Sequence, residues 1–140
     1  PAIVKGGFFY SSRDDNMAML RKIVVNERTY WWVYRYFYAD ERDSYVRIIR
    51  GDKKGQVVIY FRTGTYSYGG CPFNDGLAAM YQGTKTVINL HQPRFIAQLL
   101  TYVLKTLPEE CLTGIIEYHN GIEMLRAIGY EFDYQPHFNQ

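Results

Sequence analysis

Thr84-Lys85-Thr86-Val87-Ile88-Asn89-Leu90-His91 runs directly into an amphipathic stretch from Pro93 to Leu107. Cys111-Leu112-Thr113-Gly114-Ile115-Ile116-Glu117 follows, and then Gly121-Ile122-Glu123-Met124-Leu125-Arg126-Ala127-Ile128-Gly129-Tyr130-Glu131-Phe132. In order these read as a strand, a long helix, a second strand, and a short helix closed by an aliphatic-Gly-aromatic corner before an acidic strand start. Two strands joined through a helix of that length predict a parallel pair within a mixed sheet, flanked by helices.

Working outward, the chain before this unit is rich in strand formers. Almost every residue from Thr29 to Tyr38 is aromatic or β-branched, which suits a pleated, packed surface. Ser44 to Arg50 and Gln56 to Arg62 flank Gly51-Asp52-Lys53-Lys54-Gly55, and together they predict a hairpin. Ala2 to Tyr10 predicts a first strand, and Ser11 to Asn16 offers capping side chains for a helix over Met17 to Asn26, with Met17, Leu20 and Val24 on one face. Thr63 to Gly83, dense in Gly and turn residues, predicts a long loop with a helical turn at about Asp75 to Tyr81 and three tyrosines forming a binding lip.

Composition bounds the rest. With 140 residues, 47% of them hydrophobic and 17% aromatic, residues 1–140 make one domain with its own core. Sixteen Lys and Arg against fourteen Asp and Glu neither demand nor exclude a polyanionic partner. Cys71 and Cys111 have no metal-type spacing, and His91, His119 and His137 stand apart, so no metal site is expected. The aromatic run at Tyr30 to Tyr38 is too short for a membrane helix and Arg35 interrupts it, so no membrane association is expected. No leader segment is visible at Pro1 to Gly7.

The order of elements from Thr84 onward resembles the acyl-CoA half of GNAT-type N-acetyltransferases, with the likeness strongest over residues 84–134. The resemblance implies an α+β, three-layer sandwich built on a mixed, mostly antiparallel sheet. It also implies an acetyl-CoA site in which a loop of the form Arg/Gln-x-x-Gly-x-Gly/Ala presents backbone N–H groups at a helix start to the pyrophosphate. Registered on Leu99-Leu100, His91 stands where the family has Arg or Gln, and Arg94 and Ile96 stand where it has small residues. In a shifted register Gln92 and Ala97 take those places. Arg94 would supply a cation in place of the missing glycines. At the closing helix the family's Asn falls on Tyr118 with Asn120 beside it, and its thiolate-protonating tyrosine falls on Leu125, which cannot donate a proton. Glu117 and His119, at the end of the second strand, are the candidate bases.

A scaffold that lacks both glycines and the acid implies a degenerate acyl-CoA site and a protein that acts through protein contacts, for which fourteen tyrosines are suitable. Small bacteriophage proteins, notably the internal virion protein of podoviruses, are similar degenerate members, which implies a virion or host-takeover role in the host cytoplasm or the virion. Three alternatives carry their own residues. An active N-acetyltransferase would use the sites just named. A single-strand nucleic-acid module would use Arg35, Arg47, Arg50, Lys53, Lys54 and Arg62 among aromatics. A tautomerase would use Pro1 as its base. The backbone edges of so small a sheet also invite a second copy as partner.

Overall fold

In a computed structural model, the structure describes residues 2–5, 19–36, 43–62 and 72–132. Nine strands and three α-helices are found among them: β1 (Ala2–Lys5), β2 (Arg21–Val25), β3 (Arg28–Tyr36), β4 (Asp43–Arg50), β5 (Gly55–Arg62), α1 (Pro72–Asp75), β6 (Leu77–Tyr81), β7 (Thr84–Ile88), α2 (Pro93–Leu104), β8 (Gly114–Tyr118), α3 (Gly121–Ile128) and β9 (Tyr130–Glu131). A six-stranded sheet has the order β1-β8-β5-β4-β3-β2, and a second, three-stranded sheet has the order β7-β6-β9. The architecture is mixed α+β. Pro1, the tyrosine-rich stretch at 63–71 and the end of the aromatic run at 37–38 lie outside the described residues.

β2 to β5 form an antiparallel meander, in which Trp32 pairs with Arg21 and Ile48, and Ile48 with Val57. The helix expected at Met17 to Asn26 is instead, over Arg21–Val25, the strand β2. Ile23, Val24 and Val25 are β-branched and favour a strand. Asn26 and Glu27 both adopt positive φ (53° and 65°), closing a two-residue hairpin loop onto β3. A second such loop overturns the helical turn expected at Asp75 to Tyr81. Gln82 and Gly83, with φ of 52° and 78°, join β6 to β7, and only Pro72–Asp75 is helical.

The parallel pair also differs from expectation. β8 runs parallel to β5, with Val58 opposite Glu117, while β7 lies antiparallel to β6 in the other sheet. The physical reason is burial: β5 is buried at nearly every position, as a central strand next to a parallel neighbour must be, whereas β7 is mostly exposed. Helix α2 provides the crossover. Its buried face, Phe95, Ile96, Leu99, Leu100 and Val103, packs with Trp32, Tyr34, Ile48 and Ile59 in one core that includes Leu125 of α3. The segment between α2 and β8 is tied to the large sheet by Glu109, which accepts from the Tyr30 hydroxyl and pairs with Arg28 at 2.8 Å.

Candidate functional site

The strand register sorts side chains onto two faces. Tyr45, Arg47, Gln56, Tyr60, Arg62 and Glu117 share the face of the large sheet opposite the helix-packed core, because Tyr45 pairs with Tyr60, and Arg47 and Glu117 both pair with Val58. The β5–β8 pairing stops at Ile59 and Tyr118, so Tyr60 and Arg62 continue past the last paired rung beside His119. Ligand sites in open sheets favour the carboxyl ends of parallel strands. Here that position carries a polar cluster.

Glu117 is buried and accepts a hydrogen bond from the Tyr60 hydroxyl at 3.0 Å. Its other oxygen lies 3.7 Å from His119 Nε2. The His119 ring stacks on Tyr60 with centroids 4.7 Å apart and planes 5° from parallel, and its Nδ1 lies 3.5 Å from an Arg62 nitrogen. Since a guanidinium only donates, that contact suits the neutral tautomer with its proton on Nε2, on the Glu117 side. Burial pushes the Tyr60 phenol up to about 12, helped by its hydrogen bond to Glu117 and that carboxylate's charge, against the pull of Arg47 and Arg62. Tyr60 is therefore a neutral donor at ordinary pH. The carboxylate faces a donor at each oxygen, an arrangement that can bind a polar group or pass a proton once one donor is displaced. Arg47 donates to Gln56 Oε1 at 2.5 Å, and its guanidinium lies 5.5 Å from the centre of the Tyr45 ring.

His91, Gln92 and Arg94 collect elsewhere, at the N-terminus of α2. His91 packs edge-on against Tyr34, 5.0 Å between centroids, on the core-side face. Its Nε2 lies 2.7 Å from Asn74 Oδ1, its N–H donates to Asn89, and its carbonyl accepts from Arg21 at 2.6 Å. Burial, with Arg21 and Arg35 nearby, holds its imidazole below the usual range. Gln92 is the N-cap residue but makes no capping bond through its side chain, and Pro93 occupies the first turn. Arg94 donates to Thr86 at 3.1 Å and lies over the Phe95 ring at 4.5 Å. Ile96 is fully buried. Asn120 is the N-cap residue of α3 but makes no side-chain capping bond, and its Oδ1 is buried without a partner among the described residues.

Glu117 and His119 are thus brought together, whereas His91, Gln92 and Arg94 are assembled on the opposite face. Tyr60, Arg62, Tyr45, Arg47 and Gln56 were not among the expected site residues. Their signal was the period-two alternation in Gln56-Val57-Val58-Ile59-Tyr60-Phe61-Arg62, where every odd position is apolar. The basic residues expected to bind a single strand divide between faces: Arg50 turns to the other side, bonded to Leu112 O and Asp52. Tyr45 is buried and cannot offer its ring to a base. Tyr81, one of the expected lip tyrosines, is stacked on Tyr130 at 4.5 Å.

No group of three or more metal-ligating side chains occurs among the described residues, and no helix among them is long and apolar enough to cross a membrane. No protein-family model, curated protein or solved structure matches the chain.

Proposed function

We propose that this chain is a GNAT-like protein with a degenerate acyl-CoA site that acts through contacts with other proteins. The order of elements supports a GNAT-like scaffold: an antiparallel meander β2–β5, crossover helix α2, parallel strand β8, helix α3 and β9. One departure is large. In the family the phosphate loop runs straight from strand to helix, whereas here α1 and the β6–β7 hairpin stand between β5 and α2.

The observation that carries degeneracy is the first turn of α2. A pyrophosphate needs free N–H groups and room beside them. Pro93 has no N–H, Ile96 fills the core, and Arg94 is engaged by Thr86 and Phe95. A role in a bacteriophage virion or in host takeover, with residence in the host cytoplasm or the particle, follows from the likeness to small phage proteins.

An active N-acetyltransferase is the second reading, favoured by the Tyr60–Glu117–His119 cluster at the carboxyl ends of β5 and β8. There Glu117 would take the amine proton once His119 or Tyr60 yields its place. Calorimetric titration with acetyl-CoA separates the two. The degenerate-site reading expects no heat and no thermal stabilisation at millimolar ligand. Micromolar binding that Arg94→Ala weakens would overturn it in favour of the enzyme.

A further inference from the structure

The small sheet turns Ala79, Ile88 and Tyr130 into the core and leaves its other face open. On that face Ala78, Met80 and Val87, with Phe132 at the rim, line an open groove of about 760 Å³. Val87 is 52% exposed and Met80 36%, so the strip is accessible rather than sealed by the other described residues. Its charges are ordered. Lys85 on β7 and Glu131 on β9 are both register partners of Met80, one on each side of the central strand. Neither side chain has an ion pair or hydrogen bond with a described residue.

We infer that this face is the interface of a two-fold dimer of the chain, with β6 of one copy lying over β6 of the other. A two-fold axis in the interface and parallel to β6 exchanges the two sides of the strip. Lys85 then faces Glu131 of the partner subunit, Glu131 faces the partner's Lys85, and Met80 packs on the partner's Met80. A patch carrying opposite charges about an apolar centre is complementary to itself under this operation, which an isologous contact requires. Sheets stack about 10 Å apart, a distance that Lys and Glu side chains span together. The face spans three strands of five, five and two residues, small for an interface of roughly 800 Å² per partner, so the dimer is weak. Its fate is separate from that of the acyl-CoA site, because self-association is measured without ligand.

Sedimentation velocity over a concentration series, from micromolar to near-millimolar protein, tests the interface. The intact chain should move from monomer to dimer. Lys85→Glu and Glu131→Lys should each weaken association roughly tenfold, since each creates two like-charge contacts. Mixing the two variants should restore it, because every facing pair is then opposite in sign. Val87→Asp should weaken the dimer while leaving the far-ultraviolet spectrum unchanged at concentrations where the intact chain is monomeric, since the side chain is half exposed. A monomer throughout the series overturns the inference. So does a dimer indifferent to both reversals, which would belong to another surface such as the β7 edge, and so does a mixture that fails to restore association.

Discussion

At the scale of single residues, the polar cluster sets its own titration behaviour. Tyr60 is half buried against a carboxylate that holds its proton, so its phenol is pushed up to about 12 from the usual 10.0. A raised value in the folded chain means that the fold favours the neutral phenol. That stabilisation is fully present below the unfolded value near 10 and is lost as pH rises through about 12. The difference in tyrosinate absorbance between the intact chain and Tyr60→Phe should therefore titrate close to 12. Glu117→Gln should bring that midpoint down, because both the hydrogen bond and the charge that raise it are weakened. A difference curve centred at 10 would mean that Tyr60 is neither buried nor bonded to Glu117. Glu117 and His119 were legible in the sequence as polar residues at a strand end. Their partners were not, because the strand that stands beside β8 is fixed by tertiary pairing.

At the scale of elements, local chemistry decided what the sequence could disclose. The meander of β3, β4 and β5 is written in β-branched and aromatic residues, and α2 in its apolar period, so both were legible. β2 was misread because Leu20 and Val24 also fit a helical period, while the stronger signal was three successive β-branched residues before an Asn-led turn. The β6–β7 hairpin was missed because Gln82-Gly83 is a less familiar two-residue turn than Asn-Gly. Helix α2 itself begins poorly. Gln92 has the extended backbone of an N-cap (φ −95°, ψ 130°) but no side-chain capping bond. Gln92→Asp should supply an acceptor for the Arg94 N–H, Phe95 N–H already donating to the Gln92 carbonyl, and a favourable charge at the helix start, raising stability by about 1 kcal/mol in urea unfolding. No change, or a loss, would show that the first turn of α2 is already satisfied.

At the scale of the whole molecule, the large sheet is the mechanical centre and the small sheet is its accessory. β4 and β5 are each paired on both sides, and Val46, Ile48, Ile49, Val57, Ile59 and Phe61 within them are fully buried. β7 is an edge strand of a three-stranded sheet whose outer face is not covered by other described residues, and Ile88 is its one buried residue. Opening energies follow such differences, since a unit with little buried apolar contact separates from the body without unfolding it. Amide exchange should therefore be slowest in β4 and β5, near the rate set by global unfolding, and faster by orders of magnitude in β6 and β7. If the open face of the small sheet is covered by a second copy, exchange in β6, β7 and β9 should slow as protein concentration rises, while β4 and β5 stay unchanged. Protection in the hairpin equal to that of β5 at the lowest concentration would instead make the two sheets one cooperative unit, and the accessory role assigned to the small one would fall.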